Sequence, residues 1–196
     1  MQHYPIVGKY FLIGLAVVGG IIFADQYTKW LVVDRILSAD GHISSGFFDW
    51  FTTQKKIEFF IDERENFKTV MLAPFLNFMM VWNQGISFGM LDTNSPNMPL
   101  VFIAISIIVS LLLAIWLALA TQKTVAFSLS LIIGGALANV FDRIRFGAVA
   151  DFIDVHAGAY HWPAFNLADS CIVLGAGIMI SGTFIGDRGK NDKTTK

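Results

Sequence analysis

Four long apolar stretches constrain the fold of this chain more than any other feature. They cover residues 10–33, 99–120, 125–146 and 166–185, and each has about the 20 residues that a helix needs to cross a bilayer core. Hydrophobic residues make up 55% of the 196 residues and charged residues only 15%, which lies outside the range of ordinary soluble domains. The sequence therefore predicts an all-α integral membrane protein with four transmembrane helices, forming a single membrane-embedded domain over residues 1–196.

Lysine and arginine indicate the orientation of these spans. Basic residues are frequent in the polar tail at 187–196, and Lys123 lies in the short link between the second and third spans. Short segments rich in lysine and arginine mark the cytoplasmic side of a membrane. We therefore expect both termini, including the tail, to be cytoplasmic, so that residues 34–97 and 152–165 face outward.

The long outward segment contains signals for β structure. Residues 75–82 have the aromatic and β-branched content of a strand, and Asn83-Gln84-Gly85 predicts a turn before a second apolar run at 86–91. This pattern predicts a small β-containing outer (periplasmic) segment between the first two transmembrane helices. The charged stretch 54–68 lacks periodicity and is interpreted as an exposed loop or a short surface helix.

Composition argues against several classes of function. The net charge is −1, without a basic stripe, so we expect no nucleic-acid partner. Cys171 is the only cysteine, and the four histidines lack the spacing of zinc ligands. We therefore expect no metal and no cofactor.

Polar residues inside the spans are the strongest functional signal. A charged side chain at the centre of a spanning helix costs about 3 kcal/mol on insertion scales, so such residues face a partner or a water-filled cavity and are functional candidates. The predicted topology brings these residues to one depth, near the outer surface. They are Asp25 and Lys29 in the first span; Asn139, Asp142 and Arg143 in the third, with Asp151 just beyond it; and Asn166 and Asp169 at the start of the fourth.

Asp151 and Asp169 suggest a specific chemistry. Two neighbouring aspartates share one proton, so one can act as a base on water while the other protonates a carbonyl oxygen. A structural interpretation also stays open, because aspartates at helix ends cap helices and suit the helix dipole. For Asp142 beside Arg143 and Arg145, and for Asp25 with Lys29, the favoured interpretation is a salt bridge.

Four sequence blocks make the chain similar to a known family. They are residues 25–29, Asp-Gln-Tyr-Thr-Lys; 83–88, Asn-Gln-Gly-Ile-Ser-Phe; 134–143, ending in Asn139-Val-Phe-Asp142-Arg143; and Val149-Ala-Asp151-Phe with Phe165-Asn166-Leu-Ala-Asp169-Ser. In this order the blocks resemble the lipoprotein signal peptidases, also called signal peptidase II. Ala138 replaces the glycine common before the asparagine of the third block, and residues 54–68 look like an insertion.

The resemblance implies roles for individual residues. It implies that Asp151 and Asp169 are the catalytic aspartates and that the other block residues bind substrate or support the site. The expected substrate-binding residues are Asn83, Gly85, Asn139, Arg143 and Asn166, with Asp25, Lys29 and Asp142 as supporting residues. We also expect the small residues Gly134, Gly135, Ala136 and Ala138 to leave a groove for a signal helix or an acyl chain.

The resemblance also implies an activity. We expect an aspartic endopeptidase of the bacterial inner membrane that removes the signal peptide from diacylglyceryl-modified prolipoproteins, cleaving on the N-terminal side of the lipidated cysteine. The expected partners are these lipidated prolipoprotein substrates and membrane lipids, and the expected state is a monomer. The alternatives are a small proton-coupled membrane transporter, since intramembrane aspartate and arginine also mark proton relays, and a non-catalytic membrane assembly factor.

Overall fold

The computed structural model describes residues 8–38, 43–53, 67–85 and 98–191. The apolar run 86–91, the charged stretch 54–66 and the end of the tail lie outside the described residues. The helices are α1 Phe11–Lys29, α2 Phe47–Thr52, α3 Met98–Leu119, α4 Lys123–Phe146 and α5 Leu167–Asn191. The strands are β1 Val70–Ala73, β2 Leu76–Asn83, β3 Val149–Ala157 and β4 Tyr160–His161.

Within the residues that the structure describes, three helices are long and apolar enough to cross a membrane. They are Phe11–Ile36, Pro99–Leu119 and Lys123–Phe146, and their bounds lie within three residues of the predicted spans. The leucines and isoleucines of α3 are largely exposed on the protein surface, and an apolar surface of this size requires lipid around it. The apolar part of α5 in the described residues is the shorter stretch Leu167–Gly182, so the fourth crossing stays a prediction.

Helix α4 packs against α1, α3 and α5, and glycines make the close packing possible. A Cβ atom on Gly134 would lie 2.9 Å from Cβ of Ile21 in α1, and one on Gly135 would lie 2.4 Å from the carbonyl oxygen of Ala168 in α5. The predicted open groove is therefore wrong at these two glycines, because neighbouring helices already occupy the space.

A π-helical segment, Trp30–Ile36, continues α1 and supports the sheet. Its Val32 and Val33, with Leu37 just after it, form a buried apolar cluster with Ala150 and Phe152 of β3. π-Helical turns are rare and occur often at functional sites. The end of the first span therefore serves as the apolar base on which the sheet rests.

The sheet is antiparallel in the order β1-β2-β3-β4. The strand predicted at 75–82 is confirmed as β2, but its neighbours are β1, which precedes it, and β3, which follows α4. The β structure predicted between the first and second spans is confirmed for β1 and β2, whereas β3 and β4 follow α4 and were not predicted. Residues 149–153 are almost continuously buried, so they lack the alternation of polar and apolar residues that marks a half-exposed strand.

The contact between Gly135 and the start of α5 yields a stability prediction. We expect Gly135→Ala to lower the stability of the purified protein by about 1–3 kcal/mol, the usual cost of overpacking, because the new methyl group meets backbone of α5. Thermal unfolding in detergent measures the change. Gly177→Ala is the matched control, since a Cβ there has nothing within 4 Å; equal Tm values for the two variants would contradict the prediction.

Candidate active site

A buried ion triad joins α1 to α4. The Nζ atom of Lys29 lies 2.7 Å from Oδ2 of Asp25 and 2.7 Å from Oδ2 of Asp142, and all three side chains are fully buried. The predicted Asp25–Lys29 salt bridge is confirmed. Pairing of Asp142 with Arg143 or Arg145 is wrong, because its partner is the lysine of another helix.

Neutral and cationic donors surround the triad. Gln26 donates from Nε2 to Oδ1 of Asp142 over 2.7 Å, and Arg145 donates from Nη1 to Oε1 of Gln26 over 2.7 Å. Arg145 also donates to the backbone carbonyl of Trp50 in α2, and its guanidinium lies 4.2 Å from the centre of the Trp50 ring. Gln26 lies within the first of the four blocks but was not predicted as a site residue, and Arg145 was predicted only as a partner of Asp142.

The triad also holds the backbone next to both candidate catalytic residues. Oδ1 of Asp25 accepts the N–H of Ala168 over 3.0 Å, and Oδ2 of Asp142 accepts the N–H of Ala150 over 3.1 Å. Ala150 precedes Asp151, and Ala168 precedes Asp169. A single set of buried charges thus sets the position of the two aspartates.

Asp151 is buried in β3, with 1% of its surface exposed. Asn166 donates from Nδ2 to its Oδ1 over 2.7 Å, and Asn83 donates from Nδ2 to its Oδ2 over 3.0 Å. Burial and, after it, the negative charge of Asp169 raise the pKa of Asp151 to about 7. Asp151 therefore retains its proton at pH values where an ordinary aspartate is ionised.

Asp169 lies half-buried in the first turn of α5 and takes part in a helix cap. Its N–H donates to Oδ1 of Asn166 over 2.9 Å, while the N–H of Asn166 donates to Oδ2 of Asp169 over 3.3 Å. This reciprocal pair has the form of a capping box. Oδ1 of Asp169 also accepts from Nδ2 of Asn139 over 2.8 Å, so its carboxylate serves both the cap and the polar cluster.

Two asparagines connect the aspartates. Nδ2 of Asn166 donates both to Asp151 and, over 3.2 Å, to Oδ1 of Asn139. Nδ2 of Asn139 in turn donates to Asp169. The predicted residues Asn139, Asn166, Asp151 and Asp169 are therefore brought together in one hydrogen-bonded group.

Arg143 and Gly85 border this group. The Arg143 guanidinium lies 5.3 Å from the Phe102 ring centre, and its charge acts on both Asp151 and Asp169. The N–H of Gly85 donates to Oδ1 of Asn83 over 3.1 Å, which directs the Asn83 amide nitrogen toward Asp151. A Cβ on Gly85 would lie 2.8 Å from the Phe102 ring, so a larger residue there would have to displace that ring.

A cleft of about 620 Å³ opens beside Asp151 over the sheet. Asp154 and His161 lie in the wall of this cleft and were not predicted as site residues. For Asp154, the sequence feature that could have indicated it is its position three residues after Asp151. The lining residues are Met79, Val81, Trp82, Asn83, Gln84, Gly85, Asp151, Asp154, His161, Trp162, Pro163 and Ala164. Within the described residues, no group of three or more His, Cys, Asp or Glu side chains is arranged to hold a metal ion.

Long apolar helices with a linked pair of aspartates at one end, Asp151 in β3 and Asp169 in α5, define a membrane protein with a carboxylate site. Residues 17–185 match the family model of signal peptidase (SPase) II, so the chain belongs to the signal peptidase II family. The lipoprotein signal peptidase of Alteromonas mediterranea is 39% identical over 126 residues, covering 63% of this chain and 69% of that protein. The lipoprotein signal peptidase of Burkholderia mallei is 46% identical over 110 residues, covering 56% of this chain and 66% of that protein.

A solved structure supports the fold. A bacterial membrane enzyme determined at 2.3 Å resolution superposes with a TM-score of 0.63 over 98% of this chain and 97% of that chain, at 23% identity. At this identity the similarity concerns the fold alone.

The triad yields a second stability prediction. We expect Lys29→Met to lower stability by about 3–5 kcal/mol, because it leaves the buried carboxylates of Asp25 and Asp142 without their cation. Thermal unfolding in detergent measures the loss. Lys123→Met is the matched control, since Lys123 is exposed at the start of α4; a Lys29→Met protein as stable as the control would show that the triad is dispensable.

Proposed function

We propose that the chain is an aspartic endopeptidase that removes signal peptides from diacylglyceryl-modified prolipoproteins, cleaving on the N-terminal side of the lipidated cysteine. Membership of the signal peptidase II family supports the peptidase activity and the substrate class. The observation that carries the catalytic assignment is the linkage of Asp151 to Asp169 through Asn139 and Asn166.

The two aspartates divide the acid and base roles. Asp151, whose pKa is raised to about 7, holds the shared proton, and Asp169 is the carboxylate that removes a proton from water. The water oxygen attacks the carbonyl carbon while Asp151 protonates the carbonyl oxygen. The C–N bond then breaks as Asp169 passes the proton it took from water to the amine nitrogen and Asp151 takes back a proton from a hydroxyl of the gem-diol, which leaves a carboxyl group on the signal peptide and a free amine on the cysteine.

Neighbouring residues position the reacting groups. Asn83 and Asn166 hold the Asp151 carboxyl by donating hydrogen bonds to its two different oxygens, and Asn139 holds Asp169 by donating to one of its oxygens. Arg143 supplies positive charge beside both acids, where it can bind a carbonyl oxygen of the substrate. Of the residues proposed for substrate binding, Gly85 acts through Asn83, because its N–H is already donated there.

The position of the polar groups supports a site at one membrane surface. Asp25 and Lys29 end α1, Asn139 and Asp142 lie near the end of α4, and Asp169 begins α5. We place this end on the outer side of a bacterial inner membrane, with α5 as the fourth crossing, both termini cytoplasmic, and a monomer surrounded by lipid. A proton-coupled transporter has its charged residues near the midplane instead.

The catalytic assignment predicts the effect of two conservative substitutions. We expect Asp151→Asn and Asp169→Asn each to lower the cleavage rate at least about 10³-fold, since each removes the acid or the base. A gel-shift assay on a diacylglyceryl-modified precursor measures cleavage, after thermal unfolding has shown that each variant folds. Asp49→Asn, at an exposed position in α2, is the matched control and should cleave normally; normal cleavage by either dyad variant rules out the assignment.

The raised pKa predicts a pH dependence. Because Asp151 must be protonated, we expect kcat/KM to fall as pH rises through about 7. The hydrogen bond from Asn83 favours the carboxylate and lowers the pKa of Asp151, so Asn83→Leu should move this decline to higher pH. The pH profile of kcat/KM for both proteins measures the shift; a decline that stays in place or moves to lower pH contradicts the role of Asn83.

A further inference from the structure

A second polar cluster lies in the cleft, and the catalytic steps above do not use it. Asp154 is 2% exposed and has partners on both carboxylate oxygens. Asn77 donates from Nδ2 to its Oδ2 over 3.0 Å, and Nδ1 of His161 lies 2.8 Å from its Oδ1. The His161 ring stacks on the His156 ring, with the two ring centroids 4.9 Å apart.

The planes of the two stacked imidazole rings, His156 and His161, meet at an angle of 21°. The rings are therefore close to parallel. With Asp154 on one side and His156 on its face, the His161 ring is held in one orientation before any substrate arrives.

The protonation of the pair follows from its contacts. Burial favours the neutral form of Asp154, but the hydrogen bonds from His161 and Asn77 outweigh it and lower the pKa of Asp154 below its ordinary value. An ionised carboxylate only accepts hydrogen bonds, so Nδ1 of His161 carries the proton that faces it. In a neutral imidazole the other nitrogen, Nε2, is then an acceptor, and in the described part of the chain it has no hydrogen-bond partner.

The cleft connects this pair to the catalytic residues. Asp151 and Asn83 line the same cleft as Asp154 and His161. The His161 side chain is 49% exposed, so it is accessible from the cleft. The cleft lies over the sheet, outside the three long apolar helices.

The chemistry of the precursor decides what occupies this part of the cleft. Its signal segment and acyl chains are apolar and remain in lipid, whereas the chain after the cysteine must leave the membrane with its backbone N–H groups satisfied. A fixed acceptor on the non-spanning sheet suits such an N–H group.

We propose that Nε2 of His161, oriented by Asp154, accepts a hydrogen bond from the main chain of the precursor on the C-terminal side of the lipidated cysteine. This inference rests on the proposed peptidase function. It makes His161 a substrate-binding residue and Asp154 a positioning residue, and it extends the site beyond the bond that is cleaved.

Two substrates test the proposal with purified full-length protein. One is a diacylglyceryl-modified precursor that ends at the modified cysteine, and the other continues for ten or so residues, about 30 Å of extended chain. His161→Phe removes both nitrogens, while His161→Asn keeps a donor for Asp154 and removes Nε2. We expect both variants to raise KM for the long substrate about three- to tenfold, the effect of one hydrogen bond, with kcat and the KM for the short substrate unchanged.

Tyr160→Phe is the matched control, since Tyr160 precedes His161 in β4, is exposed and does not line the cleft. It should leave both substrates unaffected. The proposal would be overturned if KM changed equally for the two substrates, or if KM for the long substrate rose in His161→Phe but not in His161→Asn. Either result would show that His161 has only a structural role through its contact with Asp154. Failure of the wild type to cleave either substrate would overturn the peptidase function itself.

Discussion

The buried contact of Lys29 with Asp25 and Asp142 is the interaction on which the rest of the structure depends. One cation faces two carboxylates, and removing such ions from water costs several kcal/mol each unless geometry and hydrogen bonds offset the loss. Here the offset comes from Gln26 and from the N–H groups of Ala150 and Ala168. The charges are therefore stable only when α1, α4, β3 and α5 all occupy their places.

This dependence explains how the fold tolerates the buried carboxyl group of Asp151, whose ionisation burial disfavours. A carboxyl whose folded pKa is about 7 binds its proton more tightly in the native state than in the unfolded chain. Between about pH 4 and 7 the native state then holds more protons, so the contribution of Asp151 to stability falls as pH rises through this window. The triad stabilises the surrounding backbone, which allows Asp151 to remain in an environment that disfavours its charge.

Local patterns in the sequence predicted the parts of the fold that depend on local properties. Span positions follow from length and hydropathy, and Asp25 with Lys29 is an i, i+4 pair on one helix. The pairing of Asp142 was missed because Arg143 and Arg145 are nearer in sequence, whereas its partner lies on another helix. Strand β3 was missed because burial on both faces removes the alternation from residues that include two aspartates. Tertiary packing decides both features.

The structural and catalytic interpretations of Asp169 describe the same hydrogen bonds. An asparagine amide has one acceptor and one donor side, and Asn166 uses its oxygen to cap α5. That bond fixes the amide, so Nδ2 is directed to Asp151. The reciprocal bond from the Asn166 N–H fixes Oδ2 of Asp169 and leaves Oδ1 for Asn139. Because the cap sets the direction of both side chains, the start of α5 cannot form correctly without also bringing the two aspartates into their linked arrangement.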